Sequence, residues 1–571
     1  MNKYFFRNLF LITFFMLLFF SSIAQVRQQV STEYDRNSIS ILLLDAQEKY
    51  SGQLKTLMDS LKVPEKFFDN TLPKKSVPQI IDRAAIAAND SYRMLVPLST
   101  IEGALYNAKI PHLVISRWFD REEDGSFGVK TLAERGVYNA TDNDLLVATA
   151  SKRGTAGLMD MGMGLVDNSY IILLDFAELL SMAEIYERDS IPATDRTMNG
   201  FTAKMNAYVF KLDFSEPVAA NFYQNLWISE NSENKAEKRE MFENTRFPLI
   251  HINTFTEEVV VSQLNSGQKY APTVQRTPQQ LMKSLMETGF GQSLLKLENT
   301  NEDFRVKGMV FDVNPIAVKI GRKEGLKFDQ RYFVYENRQD RRGNVYSKRK
   351  GVIRSMSVAN NIGLADGASE PSLFYQVAGG KIDNMGMFVE QKNASGFNLF
   401  AGYTDGGLSG GTARLELLFS PLLYEAFARS GPAKGMTGWK IYVEGAYGNQ
   451  EFTIESELAK FGFYRGSVGL SKEIYLTRNV FIDPFLGYGI EGATPPESDG
   501  EKFESQFIEL GSRLGLNIAH NVQLMPAVNL YSIIKSEYIE SKDAEPVSIT
   551  YKEQFEGRAG AGISVGLRFM F

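Results

Sequence analysis

The chain has 571 residues, 44% of them hydrophobic and 23% charged, which predicts about three or four globular domains rather than a disordered chain. Its 62 basic and 68 acidic residues leave a formal charge of −6, which argues against nucleic acid as a partner, since phosphate binding needs a basic excess on one face. The absence of cysteine excludes disulfides, thiol chemistry and cysteine-ligated metal.

Residues 1–24 have the layout of a secretory signal peptide. Lys3 and Arg7 form a positive start, Leu9 to Phe20 is almost unbroken apolar sequence, and Ser22 and Ala24 are small residues where a signal peptidase reads. Cleavage after Ala24 leaves Gln25 at the amino terminus. The apolar run is too short to span a bilayer, no cysteine follows it to carry a lipid, and no other apolar run of 18 residues occurs. The expectation is an exported chain that can enter a membrane only as a barrel.

Residues 25–300 read as an α/β (α+β) domain. Residues 112–117, 170–175, 201–210 and 249–252 have the apolar or alternating character of strands. Residues 142–150, 155–166 and 277–297 read as helices, the last with Pro278 at its start. Asn231 to Glu243, rich in Glu, Lys and Asn, reads as a solvated helix or loop. Within this region Asp120, Glu122, Asp124 and Gly125 are spaced as in a calcium loop. The twelfth position is Thr131, however, where a bidentate Glu belongs, so a polar hairpin is the competing reading.

Residues 301–392 read as a small all-β domain, with strands at 304–310, 316–320, 331–335, 351–354 and 387–390 and a turn at 321–327. The series of an apolar strand, Gly321-Arg-Lys-Glu-Gly-Leu-Lys327, Asp329 and an aromatic strand resembles SH3-like barrels of bacterial envelope proteins. That resemblance implies assembly contacts rather than catalysis. Arg338, Arg341, Arg342, Lys348, Arg349 and Lys350 flank a Gly343-Asn344 turn and read as a solvated hairpin tip, or as a contact for anionic lipid or cell wall.

Residues 393–571 hold amphipathic strands near 396–405, 411–420, 438–448, 461–472, 478–490, 504–518, 521–535 and 558–571. Ile508, Leu510, Leu514 and Leu516 stand opposite Glu509, Arg513 and Asn517, and Leu415, Leu417 and Phe419 opposite Arg414 and Glu416. Such alternation fits an eight-stranded antiparallel transmembrane β-barrel, because lipid tolerates no open sheet edge. Its interior would hold Arg414, Lys440, Arg513 and Arg568 beside Glu416, Glu444, Asp483 and Glu509, either as a plug of paired charges or as a charged conduit. Two features sit awkwardly. The 421–437 connector is long for the periplasmic side, and Pro484 and Pro526 fall inside strands, where bulges or strand ends are expected. The final residues, Ser564-Val-Gly-Leu-Arg-Phe-Met-Phe571, resemble the terminal strand of outer-membrane β-barrels, with Ser564, Gly566, Phe569 and Phe571 in the sorting-signal places. An ordinary core strand at the end of the chain is the alternative.

Other motifs point away from enzyme chemistry. Gly487-Tyr-Gly-Ile-Glu-Gly492 spells a dinucleotide fingerprint, but a loop follows where a helix is needed. His112, His251 and His520 form no H-E-x-x-H, and no G-x-S-x-G elbow or phosphate loop occurs. No catalytic, cofactor-binding or metal residues are expected. The reading is a non-enzymatic outer-membrane anchor or assembly platform whose periplasmic residues 25–392 bind an envelope protein or the cell wall. A small pore and a barrel-tethered periplasmic enzyme are the alternatives.

Overall fold

The computed structural model describes residues 36–139, 164–229, 232, 234–339, 345–363, 370–383, 387–392, 394–427, 433–454, 457–495, 502–540 and 546–571. The signal segment 1–24, the helix 142–150, most of the helix 155–166, and Arg341, Arg342 and the Gly343-Asn344 turn lie outside them.

The first sheet is built on β1 (Ser38–Asp45), whose run Ile39-Ser-Ile-Leu-Leu-Leu44 has too few polar residues to show one face to water. It is flanked in parallel by β2 (Phe68–Asp69), β3 (Ser76–Pro78) and β4 (Ser169–Ser181). Antiparallel β5 (Met198–Leu212) and β6 (Leu249–Leu264) extend it beyond β4. Two cores cover its faces. Ile101, Leu105, Val114, Trp118 and Phe222 pack on one side. On the other lies the helix Pro278–Thr300, started by a capping box between Thr277 and Gln280, with Leu281, Leu285, Phe290 and Leu294 inward. This is the α/β arrangement expected, with one exchange. Residues 112–117 are not a strand but part of the helix Ile110–Trp118, in which Pro111 sits in the first turn and Ile110, Val114 and Trp118 recur at four-residue spacing.

A second, closed barrel follows, formed by β7 (Lys307–Val313), β8 (Ile316–Val318), β9 (Arg331–Gln339), β10 (Val345–Ser357), β11 (Ser372–Gly379) and β12 (Phe388–Gln391). Its core gathers Val310, Val318, Phe328, Tyr332, Val334, Ile353 and Val389. The strand expected from Phe304 begins only at Lys307. Phe304 lies in the single turn Glu302–Phe304 and packs on Phe67 and Tyr170 of the first unit.

The carboxy-terminal sheet closes into a larger antiparallel β-barrel. β13 (Phe397–Gly406), β14 (Gly410–Leu418), β15 (Trp439–Ile454), β16 (Glu457–Lys472), β18 (Val480–Thr494), β19 (Lys502–Asn517), β21 (Ala527–Ile539) and β23 (Gly560–Met570) pair in succession. β23 then pairs with β13, from Asn398 opposite Met570 to Gly406 opposite Gly562. The short β17 (Ile474–Tyr475), β20 (Val522–Leu524) and β22 (Val547–Ser548) extend the ladder at its ends. The segment expected as one strand over 521–535 is therefore split at Met525-Pro526, where the proline cannot donate. Pro484 instead stays inside β18. On one side β18 changes partner there, from β16 at Phe485 to β17 at Ile482, so the missing N–H falls in a gap of the ladder.

Candidate functional site

Alternation along the large barrel sorts its side chains cleanly. On β14, Thr412, Arg414 and Glu416 are buried while Ala413, Leu415 and Leu417 are exposed. On β19, Phe507, Glu509 and Arg513 are buried while Ile508, Leu510 and Leu514 are exposed. The last strand follows suit, with Ser564 and Arg568 inward and Ile563 and Val565 outward. The barrel is thus inverted relative to a water-soluble one, with charge inside and large aliphatic side chains outside. Each such side chain costs about 1.5–3 kcal/mol when left in water.

Inside, charge is balanced. Among the described residues, Arg414, Lys440, Arg465, Arg513, Arg558 and Arg568 are buried with Glu416, Glu444, Glu473, Asp483, Glu491 and Glu509. Arg414 meets Glu444 at 2.6 Å, Arg513 meets Glu416 at 3.1 Å, and Lys440 meets Asp483 at 3.1 Å and Glu416 at 3.3 Å. Arg568 joins Glu416 at 3.1 Å and also binds Glu473. Toward the far end Arg558 holds Glu491 at 2.7 Å, next to an aromatic cluster of Phe461, Phe463, Phe503 and Phe555. Pairing of this density offsets the desolvation that would make any one of these charges costly alone. The eight interior charges expected are all there; Arg465, Glu473, Glu491 and Arg558 are additional.

Rings fill the remaining width. The Phe481 ring covers Gly515, Phe485 covers Gly511, Phe507 covers Gly489, and Phe400 covers Gly566. This explains Gly487-Tyr-Gly-Ile-Glu-Gly492. A Cβ at Gly487 would collide with the Tyr442 hydroxyl, one at Gly489 with Phe507, and one at Gly492 with Tyr464. The glycines make room for neighbouring aromatic rings within β18 and open no helix.

The small barrel sits against one end of this interior. Asp329, with φ of +61°, turns its carboxylate toward the large barrel. It accepts from the Gly438 N–H at 2.7 Å and the Tyr375 hydroxyl at 3.2 Å, and pairs with Arg354 at 2.9 Å. Arg354 in turn reaches Glu473 at 2.6 Å, so one chain of ion pairs runs from the small barrel into the large one. The long 421–437 connector belongs to this joint. Its helix Ser420–Phe427 stacks Tyr424 on Phe328 with ring centroids 4.1 Å apart, and Ala433 N–H donates to the Met356 carbonyl. A cleft of about 1020 Å³ opens where all three units meet, lined by Lys66, Leu294, Arg322, Lys327, Ile362 and Phe571 among others.

The other candidates disperse. In the acidic loop, Asp120 accepts from the Thr131 N–H at 2.8 Å, and Asp124 takes the Ser126 N–H at 2.9 Å and Lys235 at 2.8 Å. Protein donors occupy the oxygens a cation would need. His112 bonds the Phe242 carbonyl at 3.1 Å, His251 faces Thr254 at 2.9 Å, and His520 lies beside Phe333. No two of the three meet, and no metal-holding group of His, Cys, Asp or Glu occurs among the described residues. No helix among them is long and apolar enough to cross a membrane, which says nothing of strands. In the basic stretch, Arg338 pairs with Glu336 at 2.8 Å, while Arg349 turns to the Phe333 ring.

The chain matches no protein-family model and no curated protein. Among solved structures it is similar to a major outer membrane protein from Thermus thermophilus, at 14% identity and TM-score 0.21, covering 31% of this chain and 98% of that one. It is also similar to Ail, the attachment invasion locus protein of Yersinia pestis, at 13% identity and TM-score 0.19, with 31% and 99% covered. A third is the N-terminal β-barrel domain of Pseudomonas aeruginosa OprF, at 10% identity and TM-score 0.16, with 30% and 96% covered.

Proposed function

We propose that the chain is a non-enzymatic outer-membrane anchor and assembly platform. In this reading residues 393–571 form an eight-stranded transmembrane barrel, and residues 301–392 form an SH3-like module held against its periplasmic end. The α/β unit ahead of it then stands in the periplasm. The observation that carries the reading is the inverted barrel: aliphatic outside, and inside a column of paired charges continued into the small barrel through Glu473, Arg354 and Asp329. Such an interior is a plug, and it favours an anchor over a conduit. The cleft between the three units is the natural seat for a periplasmic partner, an envelope protein or the cell wall, because clefts between domains are where ligands most often bind.

Heat-modifiable migration on gels, read beside protease digestion of intact cells, tests this. A folded form that runs faster than the boiled one, with residues 25–392 protected until the outer membrane is opened, supports the anchor. A protein that washes off membranes as a soluble species ends it.

A further inference from the structure

Beside the turn that follows β19, positive charge collects without a carboxylate to balance it. Arg331, at the start of β9 and 8% exposed, donates to the His520 carbonyl in that turn. Arg349 of β10 stacks its guanidinium on the Phe333 ring 3.9 Å from the centroid, and Lys392 approaches the same ring at 5.4 Å. The His520 ring lies 6.1 Å from it. The nearby carboxylates are engaged elsewhere, Glu390 with Arg305 at 3.0 Å and Glu473 with Arg354 at 2.6 Å. Among the described residues none of Arg331, Arg349 and Lys392 forms an ion pair, and the buried Nε of Arg349 has no hydrogen-bond partner.

Arg349 and Lys392 share the Phe333 ring, with Arg331 close enough to act on Lys392; cations this near repel each other, and each partly buried charge without a counter-ion carries a desolvation cost. The buried ions of this joint, Asp329, Arg354 and Glu473, are paired, so a cluster of three cations without a counter-ion needs a cause. An anion seated among the three would supply the missing charge and a partner for the Arg349 Nε–H. The three cations also act on each other and on His520. Burial, and then Arg331 and Arg349, bring the Lys392 amine down to about 7; burial, and then Arg349, Arg331 and Lys392, bring His520 down to about 4.

Position narrows the class of anion. Ile518, two residues before His520, is 61% exposed and continues the outward aliphatic stripe of β19. Asn521 accepts from the Met570 N–H, beside the terminal Phe571. The cations therefore lie at the foot of the apolar belt, where a bilayer around the barrel would place phosphate groups. We propose that Arg331, Arg349 and Lys392 form a binding site for a phosphate ester, presented by an anionic lipid headgroup at the membrane face. The site rests on the reading of the barrel as membrane-spanning.

Native mass spectrometry of the full-length protein in neutral detergent tests it, with phosphatidylglycerol, phosphatidylcholine and soluble glycerol 3-phosphate as probes. The wild type should retain phosphatidylglycerol over phosphatidylcholine, and Arg349→Gln and Lys392→Gln should each weaken that retention about fivefold. Both side chains are half-buried at the surface, so the variants should still fold, which heat-modifiable migration checks. Glycerol 3-phosphate binding that is lost in the same variants, without lipid retention, would keep the phosphate site but assign it a soluble ligand. Equal retention of every probe by wild type and folded variants would overturn the site. A wild type that shows no heat-modifiable form would instead overturn the membrane-spanning reading.

Discussion

Arg354 of the small barrel places its Nη1 2.6 Å from a carboxylate oxygen of Glu473, which follows β16 of the large barrel. Both side chains are buried, and Arg354 also holds Asp329 at 2.9 Å, so one guanidinium ties two sheets together. The two barrels are joined by buried charge as much as by apolar contact.

Arg354→Met leaves Asp329 buried without its cation and takes from Glu473 one of its three, at an expected cost of about 3–5 kcal/mol. The folded, fast-migrating form should disappear at lower urea in this variant. In a double-mutant cycle with Glu473→Gln, the two changes should cost less together than their sum, because the two sites share the interaction. Additive effects would mean the pair is not coupled.

Gly515→Ala puts a methyl group into the Phe481 ring and should cost about 1–3 kcal/mol through overpacking. In a Phe481→Leu background the same change should cost less than about 0.5 kcal/mol, since the obstacle is gone. Urea titration of the four proteins reads both numbers.

The first unit should weaken in acid through Glu184. Burial raises its carboxyl, but hydrogen bonds from Lys49, from the Tyr50 hydroxyl at 2.6 Å and from the Ser181 N–H at 2.7 Å outweigh that and hold it down at about 2. A carboxyl lowered in the folded state stabilises above its unfolded pKa of about 4.5, and the gain is lost as pH falls through about 2. Thermal melts between pH 5 and 2 should therefore show a loss of about 1 kcal/mol, reduced by solvent screening, that Glu184→Gln abolishes.

Calcium should not stabilise the acidic loop. Asp120 and Asp124 already accept from Thr131, Ser126 and Lys235, so a cation would have to displace those donors. Melting temperatures with millimolar calcium or with chelator should coincide. A calcium-dependent rise that Asp124→Asn removes would show that the loop rearranges to bind it.

Alternation made most of the large barrel legible, because outward-facing and interior residues differ in kind at every second position. Where it failed, the pattern itself was broken. Arg465 sits in Phe461-Gly-Phe-Tyr-Arg-Gly, where Phe461 and Phe463 share its inward face, so polarity does not alternate. Glu473 lies in the one-residue break between β16 and β17 and Arg558 in a turn before β23, where period-two reasoning has no hold, and Glu491 lies one residue beyond the expected end of its strand. Residues 112–117 looked like a strand because a short apolar run has no period of its own; the flanking Ile110, Pro111 and Trp118 carry the helical signal. The long 421–437 connector could not be explained from sequence at all. Its length is set by Tyr424 reaching Phe328, a contact 96 residues apart in the chain. The Arg331, Arg349 and Lys392 cluster was equally hidden, since three separate segments bring it together.

A plugged anchor carries no current, and conductance in planar lipid bilayers reads that property without an intermediary. The folded, heat-modifiable protein should insert without stepwise current at any moderate voltage. Reproducible unitary steps from the wild type, altered by Arg414→Gln or Glu444→Gln in the interior, would contradict it and make the charged column a conduit.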